Sequence, residues 1–417
     1  MKKKLLALAI AGAFAVPAAS ALADSGNVTI YGQMNISYDL VDSGYANGQG
    51  QRTSQVTDNA SRLGFKGSED LGNGLSAIWQ IESSLNPDGA AFNSTNSTGA
   101  LAGRNTFVGL SGKSWGTVLL GRHDTPYKMA TRKLDIFTNT VADNRNILGG
   151  GGSGVTGTPV VVGATTYNFT SANASAATSF DGRQKNVVAY VSPSINGFTG
   201  MIAYVAGAEN ALTSGQKKGN AWSLAGVYKN GPWFGSLAYE KHNIGTASTG
   251  TLASHATSTT GGVVTSLLAD KEEHAWKLGL GYKWQAFKLG FVYEDTKDDF
   301  GSVLNTAALS NPKGSSDYFG HHAYSLNGAY AFGNNALKVA YTKAGDQGRI
   351  NDSGAKEWSL GIDHHFSKRT TIYALYTKLN NDTNGLYGLK GGSNGGVAPG
   401  SANSDPSAWS VGINHKF

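Results

Sequence analysis

The chain has 417 residues and a formal net charge of +6 at pH 7, with 57 glycines, 9 prolines and no cysteine. The absence of cysteine excludes disulfides and thiolate metal sites, and glycine without a collagen period excludes a triple helix. A charge this mild in a chain this long does not indicate nucleic-acid binding. No later run of about 18 apolar residues predicts a membrane helix, so a soluble all-β protein and a membrane β-barrel both remain.

The first predicted element is a cleaved secretory signal peptide. Three lysines at positions 2–4 precede an apolar run, residues 5–16, that is too short to span a bilayer. Ala21, Leu22 and Ala23 form an A-x-A cleavage site, so we expect residues 1–23 to be removed and residues 24–417 to form the mature protein. The sequence therefore predicts export from the cytoplasm.

From Val28 onward the dominant signal is a period of two. Apolar side chains alternate with polar or small ones, which a helix would not sort but a strand places on opposite faces. The apolar set of the first strand is Val28, Ile30, Met34, Ile36, Tyr38 and Leu40. The same alternation recurs over residues 75–82, 275–282, 287–294, 357–363 and 409–417, and it continues to the last residue.

The connections between these segments alternate in length. Seven short turns, the first at residues 70–74, separate long polar segments at 42–60, 83–103, 123–182, 207–220, 243–273, 295–320, 344–354 and 379–407. Seven hairpins plus a first and a last strand give about sixteen strands. The pattern predicts an all-β, transmembrane antiparallel β-barrel with short periplasmic turns, long extracellular loops and both termini on the periplasmic side.

Several segments then resemble those of the Gram-negative trimeric general porins of the β-proteobacterial type. They are residues 61–75 (SRLGFKGSEDLGNGL), 107–122 (FVGLSGKSWGTVLLGR), 124–128 (DTPYK), 192–198 (SPSINGF), 367–370 (SKRT) with Tyr373, and 411–417 (VGINHKF). They follow the family order over nearly the whole mature chain. One departure is Val118-Leu119-Leu120, where family members often carry an Arg or Lys.

The resemblance implies a homotrimer in outer-membrane lipid, with sixteen strands per barrel and a third loop folded into each pore. It implies a water-filled channel for passive diffusion of small hydrophilic solutes and ions. It also implies that the barrel-assembly machinery recognises the strand ending at Phe417 as an assembly signal. No cofactor or metal follows from the sequence.

Successive side chains of a strand alternate between its two faces, a rule called strand parity here, and this rule predicts which charges line the channel. If Leu63 and Phe65 face lipid, Arg62 and Lys66 face the lumen, and Glu82 does so by the same argument. Arg183 and Lys185 share a face with the small Ala189, which predicts an inward position, whereas the sides of Arg104 and Arg122 remain open. By resemblance, Arg62, Arg104 and Arg183 are similar to the arginines of the family's basic wall.

The longest loop, residues 123–182, begins with a charged part that we expect to form the constriction inside the barrel. Its Asp135 and Asp143, with Glu82, are expected to supply the acidic side of the pore, opposite the basic wall. Excess positive charge in a narrow neck favours anions. The sequence therefore predicts a mild anion preference.

Other functions remain open at this stage. A substrate-specific channel or a barrel adhesin is not excluded by the sequence. A barrel enzyme is disfavoured, because the adjacent pairs His321-His322 and His364-His365 would point to opposite faces of a strand and could not act together.

Overall fold

The computed structural model describes residues 28–45, 52–85, 87, 101–150, 160–162, 165–169, 180–207, 219–245, 256–260, 263–266, 270–304, 313–389, 397 and 402–417. The predicted signal peptide lies outside these ranges. The described strands close into a barrel of 16 antiparallel strands, which confirms the predicted fold class.

The strands follow one another around the barrel in chain order. They are β1 (Thr29–Asp42), β2 (Arg52–Asp58, continuing as Arg62–Gly72), β3 (Leu75–Ser84), β4 (Thr106–Gly112), β5 (Gly116–Asp124), β6 (Arg183–Val191), β7 (Phe198–Ala206), β8 (Asn220–Asn230), β9 (Trp233–Asn243), β10 (Glu272–Trp284), β11 (Phe287–Asp298), β12 (His322–Phe332), β13 (Asn335–Ala344), β14 (Ala355–His365), β15 (Thr370–Asn381) and β16 (Ser407–Lys416). Two short helices, α1 (Pro126–Thr131) and α2 (Gly301–Leu304), lie in loops. A separate small sheet combines Val160–Val162, Thr165–Phe169, Ala256–Thr260 and Val263–Ser266.

The barrel closes because β1 pairs with β2 on one side and with β16 on the other. The two halves of β2 meet at a bulge where Ala60 has a φ of 61°. The first half, Arg52–Asp58, falls inside the segment 42–60, for which the sequence predicts a loop. Val56 is the one apolar side chain there, so this segment lacks the alternation of apolar and polar side chains that predicts the other strands.

The two faces of the wall differ as a membrane barrel requires. Leu40, Val108 and Leu360 face outward with 51%, 59% and 61% of their surface exposed. Asn35 and Ser37, the inward neighbours on β1, are buried. An apolar outer surface of this extent is stable only against lipid or detergent, because each Å² of apolar surface left in water costs about 25 cal/mol.

Aromatic pairs form a belt at each end of the strands. At the loop end, ring centroids lie 4.2 Å apart for Tyr341 and Trp358 and 4.7 Å apart for Tyr376 and Trp409. At the turn end, the rings of Trp233 and Tyr282 lie 4.3 Å apart. Rings at these depths occupy the two membrane–water interfaces.

The turns are short on one side of the barrel only. Asn73 and Gly74 both have positive φ, 51° and 75°, which is the two-residue turn that matches the twist of antiparallel strands. Among the described helices, none has the length and apolar character needed to cross a membrane.

Candidate functional site

The third long loop, between β5 and β6 and here called loop 3, turns into the barrel directly after β5. Helix α1 begins at Pro126, whose fixed φ suits a first helical turn. Tyr127 and Ala130 are fully buried and pack against small alanines on the inner faces of β8, β9 and β10. Small wall side chains leave room for the helix, so the loop lies inside the barrel, as predicted.

A buried ionic cluster anchors both ends of loop 3 to the wall. Glu294 of β11 accepts hydrogen bonds from the Tyr127 hydroxyl (2.9 Å) and the backbone N–H of Gly149 (2.7 Å). The Lys277 ammonium of β10 lies 3.0 Å from this carboxylate and 2.6 Å from the carboxylate of Asp181 on the returning part of the loop. Each buried charge therefore has an opposite partner, which offsets its loss of hydration.

Glycines on the inner wall make space for the apolar side chains of loop 3. A Cβ at Gly281 would lie 2.9 Å from the Leu134 side chain, and one at Gly290 would lie 3.1 Å from its carbonyl oxygen. A Cβ at Gly361 of β14 would lie 2.8 Å from the Phe137 ring. Loop 3 therefore fits against the wall closely at β10, β11 and β14.

The tip of loop 3 reaches across to β1. The side-chain amide of Asn35 donates to the carbonyl of Asn139 (3.1 Å), and the amide of Asn146 donates to Glu357 of β14 (3.0 Å). These contacts cover the inner wall from β8 to β14 and at β1. The inner wall of β2 to β6 faces the remaining space, which we call the neck.

Two predicted arginines of the neck share one carboxylate. The Nε atoms of Arg104 and Arg62 lie 2.6 Å and 3.6 Å from the two oxygens of Glu82, and the Tyr31 hydroxyl donates to Glu82 at 3.0 Å. The Arg62 and Arg104 side chains are 26% and 16% exposed, against 8% for Glu82. Glu82 therefore lies behind the arginines, on the same side of the neck and not opposite them.

Arg183 uses a second carboxylate. Its Nη2 lies 3.1 Å from Asp124 of β5, and its Nε donates to the Asn105 side chain at 2.7 Å. The Lys128 ammonium of loop 3 lies 2.9 Å from the same Asp124. This carboxylate joins the wall to the loop.

Strand parity fails where β5 pairs with β6. The register shifts between Gly121 and His123, and Asn186 has a φ of 57°, so the alternation at Ala189 does not extend to Arg183 and Lys185. Contacts alone place Arg183 in the neck. Lys185 is exposed and makes no ion pair with a described residue.

The remaining predicted basic residues lie at the margins of this group. Arg122 is opposite Thr106 in the regular β4–β5 pairing, at the point where the β5–β6 register shifts, and its buried Nε has no hydrogen-bond partner among the described residues. Lys66 is on the inner face of β2, opposite Thr29, and its ammonium lies 5.2 Å from the centroid of the Tyr31 ring. Of the residues at 118–120, Leu119 faces inward and is buried in an apolar cluster.

The two aspartates of loop 3 are internal to the loop. Asp143 pairs with the guanidiniums of Arg132 and Arg145, the latter at 3.0 Å, and Asp135 accepts the backbone N–H of Phe137 at 2.8 Å. Their side chains are 0% and 1% exposed, whereas those of Arg132 and Arg145 are 18% and 20% exposed. The structure thus places these carboxylates in the loop interior, where they organise its backbone, and not on a water-exposed acidic side.

Burial and neighbouring charge shift the pKa of several loop 3 groups. Burial and the charge of Asp143 raise the pKa of Asp135. Burial would also raise the pKa of Asp143, but the guanidiniums of Arg132 and Arg145 outweigh it and hold that pKa well below its usual range. Burial, helped by the charges of Arg145 and Arg183 and opposed by Asp124, lowers the pKa of Lys128 to about 8.

The sequence predicts that the charged first part of the loop forms the constriction, but of its charged residues only Asp135 and Asp143 are predicted as pore residues. Lys128, Arg132 and Arg145 cluster within eighteen residues of the loop that was predicted to narrow the channel, and this clustering was the available signal. What the sequence did not reveal is that the neighbouring aspartates are buried behind them.

Phe417 lies at the seam of the barrel. The backbone N–H of Gly32 donates to the Phe417 carbonyl (3.0 Å), and the N–H of Phe417 donates back to Gly32 (3.2 Å). The Phe417 ring covers Gly32, where a Cβ would lie 2.5 Å from it.

A closed barrel with an apolar outer surface and a lumen narrowed by a charged inner loop defines a water-filled pore of the bacterial outer membrane. A family model described as Gram-negative porin matches residues 7–384, and the chain belongs to this family. It is 28% identical over 430 residues to outer membrane porin protein 32 of Delftia acidovorans, covering 100% of both chains. It is also 28% identical over 345 residues to a monosaccharide porin of a Halomonas species, covering 80% of this chain and 82% of that protein.

A solved structure, an anion-selective porin from Comamonas acidovorans, has the same fold. Its TM-score is 0.65 at 24% identity, and the match covers 94% of this chain and 100% of that one. The prediction of an outer-membrane porin is confirmed by the family and the fold.

Proposed function

We propose that this porin conducts small hydrophilic solutes and ions passively and that its neck favours anions. The observation that supports the preference is the opposite exposure of the two signs of charge. Arg62 on the wall and Arg132 and Arg145 on the loop are partly exposed, and the carboxylates that balance them are more deeply buried. Arg183 and its partner Asp124 are about equally exposed. An ion in a narrow neck passes within about one Debye length, ~8–10 Å, of these groups.

The test is the reversal potential of single channels in a planar bilayer under a KCl gradient. We expect an anion-selective wild type whose preference shrinks as salt rises, because counter-ions screen exposed charges. Replacing Arg62 and Arg183 with Gln is expected to shift the reversal potential toward that of a cation-selective pore. Arg52→Gln is a matched control, since Arg52 is 88% exposed and lies outside the neck. A cation-selective wild type would contradict the proposal.

Because the Halomonas relative is named a monosaccharide porin, a second experiment tests whether sugars affect the current. A general diffusion pore should conduct the same current with and without monosaccharides in the bath. Concentration-dependent block by one sugar would favour the alternative, a substrate-specific channel.

We also propose that the protein has no enzymatic activity. The two side chains of the pair His364-His365 are engaged separately: His364 contacts the Asn335 side chain (2.8 Å), and His365 contacts the Thr371 hydroxyl (2.9 Å). Among the described residues, no group of three or more His, Asp or Glu side chains is arranged to hold a metal ion.

Assembly is the last part of the proposal. We expect residues 1–23 to be cleaved on export, the barrel-assembly machinery to insert the mature chain, and three copies to form a homotrimer. The trimer is supported by a solved outer membrane protein of similar fold, from Vibrio cholerae, that is described in a trimer form.

A further inference from the structure

A cluster of lysines lies on the outer surface of the barrel, just beyond the aromatic belt at the loop end. On β13 and β14 the outward rings of Tyr341 and Trp358 face each other in the pairing. Two residues further toward the loops, Lys343 and Lys356 occupy directly opposite positions on the same outer face. Both side chains are exposed.

A third lysine completes the cluster. Lys378 of β15 lies opposite Trp358, and so it faces outward and is diagonal to Lys356. Directly opposite Cβ atoms on antiparallel strands are about 5 Å apart and diagonal ones about 7–8 Å. One small anion can therefore contact all three ammonium groups, which we call the lysine triad.

No described carboxylate forms an ion pair with the lysine triad. Outward lysines near the loop ends of other strands have partners: Lys241 lies 2.6 Å from Glu272, and Lys297 lies 3.3 Å from Asp317. The nearby carboxylate of Asp405 is engaged with the backbone and side-chain amides of Asn381 and Asn380 (2.9 Å each).

Like charges placed directly opposite on neighbouring strands destabilise the pairing. Lys343 and Lys356 repel each other in this position unless an external anion lies between them. The position of the triad identifies that anion. Lys343, Lys356 and Lys378 each lie two residues, about 7 Å along the strand, beyond an outward ring of their own strand, which is Tyr341, Trp358 or Tyr376. The triad therefore lies slightly outside the ring belt, at the depth of lipid headgroups in the outer leaflet.

We propose that Lys343, Lys356 and Lys378 bind the phosphate groups of a lipid headgroup in the outer leaflet of the outer membrane. The ammonium groups neutralise the phosphates, and the rings of Tyr341, Trp358 and Tyr376 pack against the apolar part of the same lipid just below. This site is on the outside of the barrel and is independent of the ion preference of the neck.

The test measures retention of diphosphoryl lipid A by the purified protein in non-ionic detergent, by native mass spectrometry. The variant combines Lys343→Gln, Lys356→Gln and Lys378→Gln, and we expect it to bind this lipid at least about tenfold more weakly than the wild type. The matched control combines Lys241→Gln and Lys297→Gln, which removes outward lysines near the loop ends of the strands that have carboxylate partners, and little change is expected. Channel conductance, unchanged in both variants, reports that the barrel is folded.

Further arms separate the possible occupants. Monophosphoryl lipid A should bind more weakly than the diphosphoryl form, a dephosphorylated form should not distinguish wild type from variant, and excess inorganic phosphate should not displace the lipid. Equal retention by wild type and triple variant would overturn the proposal. So would equal losses in variant and control, or dissociation of trimers with lipid retention unchanged, which would assign this face to a second copy of the chain.

Discussion

Lys128 is the residue through which pH is expected to act on the neck. Its pKa of about 8 means that it is mostly charged at pH 7 and mostly neutral at pH 9. Loss of this charge leaves Asp124 with less positive charge beside it. The anion-to-cation permeability ratio should therefore fall as pH rises from about 7 to about 9, measured by reversal potential at fixed salt.

Lys128→Arg is the control for this effect, because a guanidinium stays protonated over the whole range. The ratio should then be nearly constant between the two pH values. A wild-type ratio that does not change with pH, or one that falls equally in the Arg variant, would show that Lys128 is not the titrating group.

At the scale of elements, loop 3 depends on the buried cluster that joins it to β10 and β11. Lys277→Met leaves Glu294 and Asp181 buried without their shared cation, which costs about 3–5 kcal/mol. The loop should then detach from the wall. Single-channel recordings should show a larger and noisier conductance, with a lower thermal midpoint in detergent.

A compensating change tests that explanation. Adding Glu294→Gln to Lys277→Met removes one of the uncompensated charges and keeps an acceptor for the Tyr127 hydroxyl. The conductance and its current noise should therefore return part of the way to the wild-type values. If the double variant is noisier than the single one, the effect does not arise from uncompensated charge.

The pairing of β13 with β14 gives a second prediction at this scale. Lys356→Glu replaces a repulsive pair with an attractive one opposite Lys343, which should stabilise the barrel by about 0.2–1 kcal/mol in detergent without phosphorylated lipid. The thermal midpoint reports it. Lys378→Glu, opposite Trp358, should produce a smaller rise; an equal rise would point to net charge instead of this pair.

For the whole molecule, Phe417 is expected to contribute both to closure of the barrel and to insertion into the membrane. Deleting Phe417 removes both its ring and the reciprocal backbone hydrogen bonds with Gly32, and an unpaired edge in lipid is costly. The amount of protein in the outer membrane should fall several-fold, by immunoblot of membrane fractions.

Phe417→Ala separates the two contributions, since it keeps the backbone bonds and removes only the ring. Equal loss in both variants would assign the effect to a terminal aromatic signal, and loss in the deletion alone would assign it to closure. Phe366→Ala, at an exposed turn aromatic, is the control for loss of a ring as such. Wild-type levels in the deletion would contradict both explanations.

Alternating side chains and the lengths of the connections were enough to predict the barrel, its strand number and the sides of regular positions. Alternation of side chains along a strand is a local property of the backbone, so residues in unbroken pairing, such as Arg62 and Glu82, have faces that parity predicts. The alternation of short turns with long loops is also apparent from the sequence alone.

The arrangement of charge in the neck, in contrast, follows from contacts between distant parts of the folded chain. Asp135 and Asp143 are buried because the loop folds its backbone and arginines around them, and this depends on contacts across several strands. The bulge at Asn186 interrupts parity before Arg183, whose position follows from Asp124 and Asn105. Side-chain burial and irregular pairing are set by distant parts of the chain, and for that reason the local alternation of residues could not predict them.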